Sequence, residues 1–81
     1  MKTDPMLNVV VISLERAVFH GAAQSVVLPG EQGTFEVLPL HRALVSRLLA
    51  GRVVIDGRTL AIRRGIVRVA SDVVTAVVEL A

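Results

Sequence analysis

The sequence predicts an all-β fold, a small β-sandwich or flattened barrel of about 8–10 short strands. Runs rich in valine and isoleucine, bounded by glycine and proline, recur about every 8–12 residues, which is typical of such folds. A second indication is the pair Asp56-Gly57 between two alternating runs, a combination that marks a two-residue hairpin turn. A third is the near absence of helical periodicity, which is confined to one short segment.

The first half of the chain contains four predicted strands. The first has two largely apolar faces, so we expect it to be covered on both sides. Gly21 is expected to end the second strand and Pro29 to stop the third, and Gly30–Gly33 is read as a turn because glycine tolerates positive φ. These strands are Leu7–Leu14, Ala17–His20, Ala23–Leu28 and Thr34–Leu38.

One segment changes period and predicts a short helical turn near residues 41–50. On a helical projection Leu44, Leu48 and Leu49 share one face. Polar side chains, among them Arg42 and Arg47, lie opposite. Gly51 stands where a glycine commonly follows the last residue of a helix.

The second half predicts two hairpins. Pairing Ile55 with Arg58 around Asp56-Gly57 places one set of apolar residues on one face: Val53, Ile55, Leu60 and Ile62. Gly65 is expected to break the run. A last hairpin, Ile66–Ala70 with Val73–Glu79, turns at Ser71-Asp72. Its predicted buried set is Val67, Val69, Val74, Ala76 and Val78, which leaves a second face that is still partly apolar.

Length and composition predict a single domain, residues 1–81, with an uncovered apolar surface. Apolar residues make up 53% of the chain. A domain of this size buries only about 60–65% of the surface of its unfolded chain, so the apolar excess suggests a partner surface. Self-association of the isolated domain is left open. The chain has no cysteine, which excludes disulfides and thiol chemistry.

The charge pattern argues against nucleic acid as a partner. The isoelectric point is about 10.5, but the formal net charge is only +2. The longest basic run is Arg63-Arg64, and no aromatic platform for stacking bases is evident. No run approaches the roughly 20 apolar residues of a membrane span. The acid and proline of the first residues, MKTDPML, argue against a signal peptide. We therefore expect a soluble domain.

No catalytic, cofactor-binding or metal-binding set is predicted. The two histidines, His20 and His41, are far apart in the sequence and lack accompanying ligands. Most carboxylates fall in predicted turns or at strand ends, and no serine has a GxSxG-like setting. The sequence PGEQG lacks the GK[ST] ending of a phosphate loop and leads into a strand. An enzyme is not expected.

The segment SVVLPGEQGTFEVLPLHRALVSRLLAG, residues 25–51, resembles the N-terminal β-sandwich domain of the epsilon subunit of F-type ATP synthases. The flanking segments LNVVVISLERAVFHGAAQSV and LAIRRGIVRVASDVVTAVVEL resemble the strands that open and close that domain. The resemblance covers nearly all of the chain. It is carried by Val53 and, in the central segment, by Val26, Val27, Pro29, Gly30, Gly33, Phe35, Leu38, Pro39, His41, Leu44, Leu48 and Gly51.

The chain also departs from that family. Leu40 stands where the family usually has glycine or asparagine, and Arg42-Ala43 lacks a proline common there. Arg63-Arg64 replaces a small residue and a glycine, and the hairpin at Asp56-Gly57 is shorter than usual. The helical hairpin that usually follows the sandwich is absent, and whether this is natural or a truncation is left open.

The resemblance implies a non-catalytic rotor subunit that docks on gamma and on the ring of c subunits, coupling ion flow to ATP synthesis. It implies a peripheral place on the cytoplasmic side of the inner (plasma) membrane, without cofactors. By position in the family, the expected c-ring contacts are Glu31, Thr34, His41 and Arg42. For gamma we expect the second face of the last hairpin, Ile66, Arg68, Val73, Thr75 and Val77. Alternatively, a second sheet covers that face.

Two other classes of function are considered from the residues alone. One is a generic β-domain that binds nucleic acid or another protein, for which salt-dependent oligonucleotide binding would be the sign. The other is a small enzyme or ligand-binding domain, which a deep pocket with convergent polar groups would favour.

Overall fold

The computed structural model describes residues 6–81, and within this range every regular element is a β-strand. The prediction of an all-β fold with about 8–10 strands is confirmed. The first residues, on which the argument against a signal peptide was based, lie partly outside the described range. The strands are β1 (Leu7–Ser13), β2 (Ala17–Ala23), β3 (Val26–Gly30), β4 (Gly33–Val37), β5 (Leu44–Leu48), β6 (Gly51–Ile55), β7 (Arg58–Ala70) and β8 (Val73–Leu80).

The long strand β7 connects the two layers of the fold. Its first part, Arg58–Ile62, pairs with β6, and its second part, Gly65–Val69, pairs with β5. The strand order along the sheet is β2-β1-β8-β7-β5-β3-β4, and β6 bridges β3 and β7. Neighbours are antiparallel except β1 and β8, which run parallel. The sheet therefore curls on itself into a sandwich.

The two layers enclose one cluster of buried apolar side chains. Alternation explains the cluster, because every second residue of a strand points to the same face. In β1 these are Leu7, Val9 and Val11, and in β8 they are Val74, Ala76 and Val78. The opposite layer contributes Val26, Leu28, Val37, Val53 and Ile55. Burying a valine or leucine side chain stabilises a fold by about 1.5–3 kcal/mol, so this cluster is the main source of stability.

Both hairpins of the second half form as expected. Ile55 pairs with Arg58, and the turn residues Asp56 and Gly57 have φ of 46° and 83°. Positive φ at both central positions defines a type I′ turn, whose twist matches that of the strands. Ser71 and Asp72 make a second such turn, with φ of 50° and 62°. The predicted buried set of the last hairpin is fully buried.

The predicted helical turn near residues 41–50 is wrong, because this segment contains strand β5. Leu44 and Leu48 are four residues apart, a spacing that satisfies both a helix and a strand, so their pattern alone does not distinguish the two. Leu44 pairs antiparallel with Val69, and Leu48 with Gly65, which shows that the segment is a strand. Gly51 accordingly begins β6 instead of ending a helix.

Three predicted strand ends are also wrong. The chain continues through Gly21 in β2, through Pro29 in β3 and through Gly65 in β7. At Gly65 a side chain would be excluded, since an added Cβ would lie 2.6 Å from the Val77 carbonyl oxygen. The glycine therefore allows close approach of β8, and the strand bends just before it, where the β7–β8 register shifts between Ile62 and Arg64.

Candidate docking surfaces

A shallow groove lies between β4 and β5, where the two layers part. These strands do not pair with each other, and β5 meets β3 only at Leu48 and Gly30. Phe35 and Leu44 contribute apolar surface to the groove. The family resemblance implied four c-ring contacts on two segments, and the structure places all four residues around this groove: Glu31, Thr34, His41 and Arg42.

The polar side chains of the groove are held in different ways. Glu31, Thr34 and Arg42 are exposed, whereas His41 is half-buried. His41 Nδ1 lies 2.6 Å from the carbonyl oxygen of Arg42. A carbonyl can only accept, so Nδ1 carries the hydrogen and donates it, and Nε2 remains for another partner. The groove holds a single carboxylate, Glu31, which excludes a carboxylate pair for acid–base catalysis there.

The second surface is the outward face of the layer formed by β1, β8, β7 and β5, here called the outer face. In register, Ile12 lies beside Val77, Val77 beside Ile66, and Ile66 beside Arg47. The next row runs from Val10 through Thr75 and Arg68 to Val45. The outer face comprises Val10, Ile12, Val45, Arg47, Ile66, Arg68, Val73, Thr75 and Val77.

The outer face is unusually apolar for a surface open to water. Ile12, Ile66, Val73 and Val77 are 39–48% exposed, and Val45 is 67% exposed. No second layer covers them within residues 6–81. The expectation that β1 is covered on both sides is therefore wrong, as is the alternative that another sheet covers the last hairpin. The five predicted gamma contacts lie together on this face.

Sequence reasoning missed four residues of the outer face: Val10 and Ile12 on β1, and Val45 and Arg47 on β5. The two on β1 were assigned to a covered strand. The two on β5 were hidden by the helical interpretation, although Val45 and Arg47 alternate with Leu44, Ser46 and Leu48 as a strand requires.

The charges of the outer face are unevenly balanced. At its border Glu79 pairs with two arginines, Arg64 at 2.8 Å and Arg63 at 3.5 Å. The hydrogen bond from Arg64 lowers the pKa of Glu79 below its ordinary value. Within the described residues neither Arg47 nor Arg68 has a carboxylate within 4.0 Å. The face therefore offers two unbalanced cations among apolar side chains.

A tight turn connects β4 to β5 beside these surfaces. The His41 N–H donates to the carbonyl oxygen of Leu38 at 3.1 Å, which closes a four-residue turn. Pro39 fixes a negative φ at the second position, and Leu40 has a φ of 70° at the third, so the turn is of type II. The Leu40 N–H donates to Asp72 Oδ1 at 2.7 Å, and the Leu40 side chain is 85% exposed.

The described residues contain neither a side-chain cluster suited to holding a metal ion nor a membrane-spanning helix. No three His, Cys, Asp or Glu side chains between residues 6 and 81 are grouped to hold a metal ion. The same range holds no helix long and apolar enough to cross a bilayer. What the described surface offers is two candidate docking surfaces of different shape, one concave and lined by polar and apolar side chains, the other broad and apolar.

Comparison with known proteins identifies close relatives. An ATP synthase epsilon chain of Xanthomonas euvesicatoria is 41% identical over 76 residues, covering 88% of this chain and 54% of that protein. One of Bordetella avium is 51% identical over 47 residues, covering 58% of this chain and 33% of that protein. The chain thus spans about half the length, or less, of these curated relatives.

Solved structures share the fold at low sequence identity. A chain in the central stalk and c-ring structure of the Tetrahymena thermophila mitochondrial ATP synthase superposes with a TM-score of 0.79 at 11% identity, covering 90% of this chain and 63% of that chain. A chain of the Euglena gracilis mitochondrial ATP synthase gives 0.83 at 15% identity, covering 96% and 53%.

The family assignment follows from the extent of the match. Residues 6–81 match the family described as ATP synthase, Delta/Epsilon chain, beta-sandwich domain. That range contains all eight strands, both candidate docking surfaces and the turn at Leu40. The chain belongs to the Delta/Epsilon-chain β-sandwich family of ATP synthase.

Proposed function

We propose that the chain is a non-catalytic central-stalk subunit of a rotary ATP synthase, which binds gamma through the outer face and the c ring through the groove between β4 and β5. In this role it couples ion translocation to ATP synthesis from a peripheral position, on the cytoplasmic side of the membrane. The single observation that carries the proposal is the outer face: five exposed aliphatic side chains in adjacent strand registers, on a chain of this family.

The argument that gamma binds the outer face rests on the apolar side chains that this face leaves exposed to water. Isolated exposed apolar residues are ordinary on protein surfaces, but a contiguous apolar patch marks an interaction site. Ile66, Val77 and Ile12 are neighbours across three strands, so one partner surface would cover them together. An apolar face that extends over several strands suits a stable subunit contact better than a transient one, because obligate interfaces are more hydrophobic.

The groove suits a different kind of contact. Its border is polar, with Glu31 and Arg42 exposed, and such charged rims tune orientation and specificity more than affinity. The two surfaces share three residues, Val45, Arg47 and Ile66, so both partners would approach adjoining sides of β5 and β7.

Co-expression with the gamma subunit of the same organism tests the gamma contact. We expect a stable one-to-one complex on size-exclusion chromatography. Ile66→Asp places a carboxylate in the centre of the outer face and should abolish the complex. Leu49→Asp is the matched control, because Leu49 is 49% exposed but lies outside that face. Failure of the folded wild-type proteins to associate at micromolar concentration would contradict the proposal.

Cysteine crosslinking tests the c-ring contact, since the chain has no native cysteine. Thr34→Cys places a thiol in the groove, and we expect it to crosslink to c subunits carrying a cysteine in their exposed loop. Thr59→Cys is the matched control, an exposed threonine on β7 away from the groove. Equal crosslinking at both positions, or none at Thr34→Cys in the assembled enzyme, would argue against the groove.

A further inference from the structure

The turn between β4 and β5 carries two costs at one residue. Leu40 adopts a left-handed backbone conformation, which is disfavoured for every residue with a Cβ and which glycine or asparagine ordinarily supplies at this position of a type II turn. Its side chain is also 85% exposed, so its apolar surface contributes little to packing within the chain. Residues 6–81 leave most of this apolar side chain uncovered.

The strained conformation is fixed. The Leu40 N–H donates to Asp72 Oδ1 at 2.7 Å, and the turn is closed by the bond from His41 to Leu38. Asp72 is itself anchored, since its carbonyl oxygen accepts from the Asn8 N–H at 2.8 Å. The backbone therefore presents the Leu40 side chain outward in one orientation. Strain held in this way, at an exposed position, is characteristic of sites that act on a partner.

Resting on the c-ring contact proposed above, we propose that Leu40 is the apolar anchor of that contact and inserts into an apolar site on the exposed end of the c ring. The four polar residues of the groove border are not apolar anchors. Phe35 and Leu44 inside the groove are half-buried, and Val45 and Ile66 belong to the outer face. Exposed charge pairs contribute little to affinity, whereas a few buried apolar side chains dominate most interfaces. Leu40 directly precedes His41 and Arg42 in the chain, and Leu38 beside it is 48% exposed.

If Leu40 is the anchor, variants that lack its side chain should be more stable as isolated domains but should bind the c ring more weakly. Leu40→Gly and Leu40→Asn both relieve the backbone strain, because these residues tolerate positive φ. We expect each to raise the melting temperature of the isolated domain by about 4–8 °C. Both remove the anchor, so we expect each to weaken binding about tenfold or more, as loss of a buried leucine side chain does.

Two further variants test whether any loss of binding is specific to an apolar side chain at position 40. Leu40→Met keeps an apolar side chain of similar volume that is, like leucine, unbranched at Cβ, and it should keep the affinity within about threefold. Leu14→Asn is the matched control, because Leu14 is 88% exposed and lies beyond the far end of β1, roughly 20 Å along the strand. It should leave binding unchanged.

The experiment measures binding of the complex of this chain with gamma to the detergent-solubilised c ring of the same organism by biolayer interferometry. Weaker binding of Leu40→Gly and Leu40→Asn, with raised melting temperatures and with Leu40→Met and Leu14→Asn unaffected, supports the anchor. Wild-type affinity in Leu40→Gly overturns the anchor and leaves the c-ring contact standing. A lowered melting temperature of Leu40→Gly also overturns the anchor and leaves the c-ring contact standing. A variant that loses binding to gamma but not to the c ring has the same consequence. Failure of the wild-type complex to bind the c ring overturns both proposals.

Discussion

Asp56 and Ser25 hydrogen-bond each other in both directions. The Ser25 N–H donates to Asp56 Oδ1 at 3.0 Å, and the Asp56 N–H donates to the Ser25 carbonyl oxygen at 3.2 Å. The same carboxylate also accepts from the Gln24 N–H at 3.0 and 3.1 Å. One turn residue thereby fixes the connection between β2 and β3, more than thirty positions earlier in the chain.

Replacing Asp56 should therefore destabilise the fold although the residue is exposed. Asp56→Ala removes the acceptor for two backbone N–H groups and puts a Cβ-bearing residue without a local hydrogen bond at positive φ. We expect a loss of about 1–2 kcal/mol, measured by urea denaturation. Asp56→Asn keeps one acceptor oxygen and tolerates positive φ, so it should lose less. Equal stability of Asp56→Ala and the wild type would contradict this account of the turn.

Gly65 provides a sharper test of close packing between strands. An added Cβ would lie 2.6 Å from the Val77 carbonyl oxygen and 3.1 Å from Val78 Cα, both backbone atoms that cannot move aside alone. We expect Gly65→Ala to cost at least about 2 kcal/mol, since overpacking forces shifts of the backbone. The effect should appear as a lower denaturation midpoint.

Gly21→Ala is the control for that substitution. Its added Cβ would meet only the Phe19 ring, at 3.6 Å, which is an ordinary contact. Its stability should change by less than about 0.5 kcal/mol. If both alanine variants lose the same stability, the loss reflects alanine in a strand and not the approach of β8 to β7.

These two glycines also show what the sequence could and could not predict. The turn at Asp56-Gly57 was predictable to the residue, because its chemistry is local and demands a particular backbone conformation. Gly21 and Gly65 were predicted to be strand ends. Sequence alone does not distinguish a glycine that ends a strand from one that allows an adjacent strand to approach closely. Only the pairing of Gly65 with Val78 on β8 decides between these cases.

The docking surfaces were predictable in composition and less so in extent. The resemblance named nine contact residues, and the structure groups them into one groove and one face, which leaves the contacts themselves to experiment. Val45 and Arg47 were missed because a leucine spacing of four is common to helices and strands. The strain at Leu40 depends on a φ value, which a sequence containing Pro-Leu does not reveal.

The Glu79 cluster predicts a specific dependence on pH. Arg64 Nε donates to Glu79 Oε2 at 2.8 Å, and this bond lowers the pKa of Glu79 below its ordinary value of 4.5. Burial acts in the opposite direction, and the charges of Arg64 and then Arg63 reinforce the lowering. A carboxyl whose pKa is lower in the folded state stabilises the fold above its unfolded pKa. That contribution is lost as the pH falls through the folded value, so the relevant window lies below pH 4.5.

Arginine substitutions should separate these causes. Arg64→Gln removes the hydrogen bond and one charge, so it should raise the pKa of Glu79 measured by NMR titration of the side-chain carboxyl. Arg63→Gln removes only a charge contact at 3.5 Å and should raise it less. A larger rise in Arg63→Gln than in Arg64→Gln would contradict the assignment of the hydrogen bond as the main cause.

The unbalanced cations of the outer face predict the chemistry of its partner. Arg68 lies between Thr75 and Val45, and Arg47 is diagonal to it across β5 and β7, about 7–8 Å away by sheet geometry. Covering both without carboxylates would leave two charges unpaired in an interface, which is costly. If gamma binds this face, it should place acidic side chains there.

Arg68→Glu should then weaken gamma binding about tenfold or more, because it sets like charges against each other. Arg58→Glu changes the net charge equally at an exposed site on the other half of β7 and should have little effect. The wild-type affinity, measured by titration calorimetry, should fall as salt rises, and Arg68→Glu should lose that dependence. Equal affinity of the two variants would mean that Arg68 meets no acidic partner.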